Sequence, residues 1–195
     1  AEATVLLDAP GTQRASDITA DGRTIIVENC VSPLVDCDVG AVSTDDPSGV
    51  EMLLASTHNE FAGTLSPGGE FLIYSTDEFG PRRLVIRPYP NVKDAFWQIP
   101  LNSCSRSDWH AEDEILAYCD DGRYAVTVST MPDVSIGVPR LLHRPTRNTF
   151  TARYSARRQQ FLSVRQLNVN NQAIVVTNWF DEVDRRLAAR PGGQN

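Results

Sequence analysis

The chain has 195 residues, of which 41% are apolar and 22% charged, and its formal net charge is −7. That length suits one good-sized domain, and that composition excludes a disordered chain. The acidic balance argues against a nucleic-acid-binding surface and is ordinary for a solvated exterior. No apolar run approaches the ~20 residues of a membrane span. The start has neither an initiator Met nor a signal peptide, so Ala1 is expected to be the trimmed or processed end of a longer protein.

Taken in order, Thr4-Val5-Leu6-Leu7 reads as a short strand closed by Asp8-Ala9-Pro10-Gly11. It resembles in composition the runs at Val50 to Ala55 and Val138 to His143, each of which ends a larger unit. The first unit, about residues 13–56, has expected strands at Ala15 to Thr19, Thr24 to Cys30, Asp38 to Ser43 and Val50 to Ala55. The second, 57–100, alternates short apolar or aromatic runs with turn clusters at Ser66-Pro67-Gly68-Gly69, Asp77-Glu78-Phe79-Gly80-Pro81 and Asn91 to Asp94. Glycine reaches positive φ without a Cβ clash, so these clusters reverse the chain tightly. A four-stranded antiparallel meander of roughly 45 residues follows, the size of one propeller blade.

The third unit, 101–144, has expected strands near Ser105 to Trp109, Ile115 to Cys119, Tyr124 to Thr130 and Pro139 to His143, with a hairpin turn at Asp120-Asp121-Gly122-Arg123. The fourth, 145–180, has strands at Phe150 to Tyr154, Gln160 to Arg165 and Ala173 to Asn178, and no fourth strand. Residues 181–190 then read as a short helix, acidic early and arginine-rich late, as the helix dipole favours. Pro191-Gly192-Gly193 ends it.

The same turn recurs in all four units. Thr19, Ser66, His110 and Ser155 stand at equivalent positions, with steps of 47, 44 and 45 residues. One such unit cannot bury both faces of its sheet alone, so neighbouring units must stack face to face. The expected fold is all-β: a single β-propeller domain of about four four-stranded blades. The competing arrangement is a β-sandwich with evenly spaced hairpins. The unpaired strand at Thr4 to Leu7 and the three-stranded last unit complement each other. Val5 to Leu7 are therefore expected to pair with the last unit, within one molecule as a ring or between two as a homodimer, because a bare strand edge invites aggregation.

The recurring Ser/Thr-Pro/Ala-Asp/Gly-Gly turn, the Ser75-Thr76-Asp77-Glu78-Phe79-Gly80 turn, Arg87-Pro88-Tyr89-Pro90 and the Trp97-Gln98-Ile99 strand resemble the WD-like repeats of TolB-type β-propellers. The stretch Val175-Val176-Thr177-Asn178-Trp179-Phe180-Asp181-Glu182-Val183 is similar to a closing segment found after such propellers. Arg157-Arg158 departs from the pattern where the Asp-Gly turn belongs. The resemblance implies a module of bacterial multidomain proteins, seen behind Ser/Thr kinase or winged-helix regions. It also implies a six-bladed parent with two units upstream.

Little in the chain points to chemistry. There is no Gly-x-Ser-x-Gly elbow, no phosphate-binding Gly-rich loop and no zinc-type ligand spacing, so neither a metal nor a cofactor is expected. The candidate ligand-binding residues are His58, His110, Trp109 and Arg87. The two histidines fall near the inner strand of successive units, where channel-facing residues lie. Each also suits a plain structural role, Trp109 between blades and Arg87 on a solvated strand. The carboxylates of Asp21, Asp45-Asp46, Asp77-Glu78, Glu112-Asp113 and Asp120-Asp121 sit in turns, where Asp bends the backbone locally. Cys30, Cys37, Cys104 and Cys119 permit two disulfides in three connectivities, or four half-buried thiols. The local pairing Cys30–Cys37 and Cys104–Cys119 needs the least rearrangement and would favour a periplasmic or other extracytoplasmic location.

The function expected is a non-catalytic β-propeller module that binds a protein partner or small ligand at its channel face. It would serve as the sensory or scaffolding part of a bacterial regulatory protein. The rival is a propeller-type carbohydrate-active enzyme, a polysaccharide lyase or glycosidase.

Overall fold

The computed structural model describes residues 5–33, 35–130 and 132–144 in full, and the strand backbone of 149–155 and 160–165. Every regular element among them is a strand, and all pairing is antiparallel. The first sheet is β1 (Thr12–Ile18), β2 (Thr24–Ser32), β3 (Val35–Ser43) and β4 (Glu51–Leu54), in that spatial order. The second is β5 (Glu60–Leu65), β6 (Phe71–Thr76), β7 (Arg83–Pro88) and β8 (Trp97–Gln98). The third runs β9 (Cys104–Ala111), β10 (Glu114–Cys119) and β11 (Gly122–Ser129), and its outer edge is shared by two short strands, β12 (Ser135–Ile136) and β13 (Arg140–His143). The fourth pairs β14 (Thr149–Ser155) with β15 (Gln160–Arg165). Apart from β12 and β13, which both pair with β11, consecutive strands are neighbours within each sheet, and the first three sheets stack in series: a propeller-like, all-β fold rather than a two-sheet sandwich.

The turns form for local reasons. Asp21 accepts hydrogen bonds from the Thr19 hydroxyl at 2.6 Å and the Arg23 amide at 3.0 Å, while Gly22 takes φ +73°. These bonds hold the Asp21 carboxyl below its usual range, the Thr19 hydroxyl most of all. In the second sheet Ser66 Oγ accepts from the amides of Glu70 and Phe71, and Gly69 takes φ +74°. The expected hairpin turn forms with only Asp120-Asp121 as its loop: Cys119 stands opposite Gly122, and Gly122 and Arg123 already belong to β11.

Alternation along β6 shows how the sheets stack. Leu72 and Tyr74 point into a cluster with Ile26, Val39 and Ala41 of the first sheet. Ile73 points the other way, into a cluster with Cys104, Ile115, Ala117, Cys119, Val126 and Val128 of the third. The second sheet is thus buried on both faces. Ile26, Leu72, Tyr74, Leu116 and Tyr118 are all buried, as their second-strand positions predict, while Ile25 is half-buried. Phe71 meets Trp97 edge-on, with ring centroids 6.3 Å apart, at the margin of the same core.

Both local disulfides are formed, and no cysteine is free. Each joins residues directly opposite one another on paired strands: Cys30 with Cys37 across β2–β3, and Cys104 with Cys119 across β10–β9. The β2–β3 ladder continues past its disulfide to Ser32 opposite Val35, so β3 begins three residues before the expected Asp38.

The expected N-terminal strand is corrected. Val5–Leu7 form no strand, and Val5 is 80% exposed. Pro10 and Gly11, the latter at φ +92°, instead lead directly into β1, whose first residues pair with the end of β2. The other half of that closure, Ala173 to Asn178, lies outside the described residues. So does the expected helix at 181–190.

Candidate functional site

Strands β1, β5 and β9 are the first strands of their sheets, and each pairs with one neighbour only. Their other edges converge. The Ser16 hydroxyl reaches the carbonyl of Gly63 at 2.7 Å. The Leu65 amide donates to Asp17 Oδ2 at 2.7 Å, and the Ala62 amide donates to Glu28 Oε1 at 2.7 Å. Thr64 Oγ1 extends the series to the carbonyl of Ser107 at 3.5 Å. Two local features permit this approach. Gly63 is buried, and a Cβ there would stand 2.9 Å from Val39 Cγ1 and 3.2 Å from Ile26 Cγ2. Ala62, at φ +50°, lies in an irregularity of the β5–β6 ladder between Phe61 and Thr64, and a bulge of this kind re-aims the backbone toward a neighbour.

Where the three strands meet lies a half-open cleft of about 210 Å³, to which Glu28 of β2 also contributes. Its wall alternates in charge: Arg14 and Arg106 are cationic, Glu28 and Asp108 anionic, and the hydroxyls of Ser16, Thr64 and Ser107 lie between them. Glu28 is 7% exposed. One of its oxygens is taken by the Ala62 amide; the other lies 3.3 Å from Arg14 Nη1 and has no hydrogen-bond donor. Ser107 is 1% exposed, and its hydroxyl has no hydrogen-bond partner. The Arg106 guanidinium lies 4.3 Å from the centre of the Tyr118 ring. Burial raises the Tyr118 pKa, and the charge of Asp108 raises it further.

A second constellation of acids lies nearby in the chain. Glu60 is 3% exposed; one oxygen accepts from Ser56 Oγ at 2.6 Å and the other has no donor. Burial first, then the neighbouring Asp38 carboxyl, pushes its pKa to about 7. Asp38 is raised as well, chiefly by burial.

The expected ligand-binding residues are dispersed. His58 precedes β5, with Nδ1 3.8 Å from Asp77 Oδ1. Asp77 also accepts from the Asn59 amide at 2.9 Å and from Asn59 Nδ2 at 2.8 Å. Burial acts to raise the Asp77 pKa, but these bonds and the His58 and Arg82 charges outweigh it and hold the carboxyl low. Arg87 is committed to structure. Its Nε donates to the Tyr74 hydroxyl and its Nη1 to the Val92 carbonyl, each at 2.9 Å, and its guanidinium faces the Phe96 ring at 5.3 Å. Trp109 and His110 are consecutive on β9, and Trp109 packs against the core between the second and third sheets. None of the four lines the cleft.

The residues that do line it carried a signal in the repeat. Ser16, Gly63 and Ser107 are separated by the same 47- and 44-residue steps that relate the turns, as are Asp17, Thr64 and Asp108. Superposing the units places small and polar residues at one height on three inner strands. Among the described residues no group of three or more His, Cys, Asp or Glu side chains could hold a metal ion, and no helix is long and apolar enough to cross a membrane.

No protein-family model matches the chain, and no curated protein sequence does. Among solved structures, a "putative TolB" from Agrobacterium tumefaciens is similar at 11% identity with a TM-score of 0.47, over 67% of this chain. This chain spans half the length of that protein.

Proposed function

We propose that the chain is a non-catalytic, TolB-like β-propeller module that binds a protein or small ligand at the face formed by its inner strands. It would act as the sensory or scaffolding part of a larger bacterial regulatory protein. The observation that carries this reading is the cleft between β1, β5 and β9, where polar groups from three sheets converge, with Glu28 of the first sheet and Ser107 of the third buried. Polar groups held in place by a packed scaffold favour binding, because little ordering entropy is then lost on association. Two disulfides support an extracytoplasmic location, since reducing compartments rarely preserve them.

Glu28 and Asp108 both line the cleft, which is the observation favouring the rival carbohydrate-active enzyme. Against it, Glu28 already holds the Ala62 amide and Arg14, a structural task that ties the first sheet to the second. The test compares Arg14→Ala and Arg106→Ala, at the inner strands, with Arg23→Ala and Arg140→Ala, whose side chains are largely exposed elsewhere. Retention of a partner from periplasmic extract should fall in the first pair only. Equal retention by all four variants would overturn the placement, and turnover of a polysaccharide abolished by Glu28→Gln would replace binding with catalysis.

A further inference from the structure

We infer that the inner-strand cleft takes a small zwitterion of the α-amino-acid class, an inference that rests on the binding reading above and narrows it. Size is the first argument. At about 210 Å³ the cleft falls below the roughly 300–1,000 Å³ of pockets that take drug-sized ligands, so it suits a molecule of few heavy atoms. The second argument is the chemistry of the wall. Among the described residues no aromatic side chain lines the cleft, so they offer no stacking platform for a sugar or nucleobase and no cage for a quaternary ammonium.

The third argument concerns unmet demand. Glu28 Oε2 is buried and has no hydrogen-bond donor; its one ion-pair partner, Arg14, has a side chain 56% exposed. A buried carboxylate oxygen without a donor is costly, and a ligand ammonium supplies three. Ser107 Oγ, equally buried and unpartnered, can accept one of them. A ligand carboxylate is then met by the guanidinium groups of Arg14 and Arg106 on the same wall. A simple anion would face Glu28 and Asp108, and a simple cation would face both arginines. A molecule carrying both charges matches both pairs.

The test is isothermal titration of the 195-residue chain with glycine, L-alanine and L-serine. Three comparison probes are N-acetyl-L-alanine, which lacks the ammonium; L-alaninamide, which lacks the carboxylate; and glucose, a neutral polyol. At least one free amino acid should bind saturably, and blocking either charge should weaken binding by about tenfold or more. Ser107→Ala, which removes an oxygen that bonds nothing in the protein, should weaken binding severalfold while leaving the melting temperature unchanged. Glu28→Gln keeps an acceptor for the Ala62 amide and should abolish the discrimination against N-acetyl-L-alanine. Equal binding of the blocked probes, unchanged affinity in both variants, or no heat with any amino acid at millimolar concentration overturns the inference. Binding of glucose alone, lost in Ser107→Ala, would overturn the ligand class while leaving the cleft a binding site.

Discussion

Glu60 gives the chain a stability that should fall as pH rises through neutrality. Its carboxyl is buried where the start of β5 meets β3, with Asp38 beside it and Ser56 as its one hydrogen-bond donor. Tyr74 of β6 also feels its charge, and Asp36 bears on Asp38. The pKa of Glu60 is raised from 4.5 to about 7. In the unfolded chain the group ionises near its ordinary value, so between about pH 4.5 and 7 the folded chain holds a proton that the unfolded chain has lost. The folded state binds more protons in that window, and stability therefore declines as pH rises. At 1.36 kcal/mol per unit, the full penalty above neutrality is about 3 kcal/mol. Glu60→Gln removes the ionisation and keeps the geometry: its amide oxygen still accepts from Ser56, and its amide nitrogen can donate to Asp38. Urea denaturation of both chains at about pH 5 and about pH 8 measures the difference directly. The variant should exceed the wild type by less than about 1 kcal/mol at the lower pH and by about 3 kcal/mol, as an order of magnitude, at the higher. A difference that stays constant across the two conditions would refute the argument, because a change in packing alone has no reason to follow this titration.

Leu72 is fully buried between the first and second sheets, and Leu72→Ala should lower the unfolding free energy by roughly 2–5 kcal/mol in denaturant titration, the spread reflecting how far Ile26, Val39 and Val85 can close the gap. An unchanged midpoint would mean that the sheets do not stack through β6. Removing the Cys104–Cys119 disulfide by paired substitution to Ala frees a span of 15 residues and should cost about 3 kcal/mol, against about 2 kcal/mol for Cys30–Cys37, whose span is 7. Thiol titration of unfolded, non-reduced protein should find no reactive cysteine, and four reactive thiols would contradict both bridges.

The strands were legible because their signals are local. A turn such as Ser66-Pro67-Gly68-Gly69 needs only its own four residues, and the alternation of Leu72, Ile73 and Tyr74 needs only the pleat. The cysteine pairing was legible for the same reason, since each bridge closes one hairpin. Two features depended on more distant context. β12 is two residues long and pairs only with the end of β11, too short a run to show a period. Val5 to Leu7 have the composition of a strand but form none in the structure, because composition does not supply a partner edge. The cleft was harder still. Ser16, Thr64 and Ser107 are unremarkable hydroxyls when read singly, and Glu28 reads as a solvated strand residue. Histidines and tryptophans draw attention for their chemistry, yet Trp109 belongs to the core, and His58 stands ahead of its strand, where it pairs with Asp77.

What makes those hydroxyls and acids a candidate site is the rigidity of the second sheet. The Cys30–Cys37 disulfide packs against Phe61 from the first sheet's side. On the opposite face Ser75 Oγ donates to the Cys104 carbonyl at 2.7 Å, beside the second disulfide. The second sheet has no disulfide of its own, yet it is clamped between two cross-linked neighbours, and its first strand β5 forms the middle of the cleft. Such an arrangement fixes Ala62 and Thr64 relative to Glu28 on one side and Ser107 on the other. Loops can vary at the ends of the sheets without moving these groups. Recognition by β1, β5 and β9 would therefore depend on the placement of charge along three inner strands rather than on loop conformation. A substitution that shifts one sheet against the next should alter the cleft even where it touches none of the residues that line it.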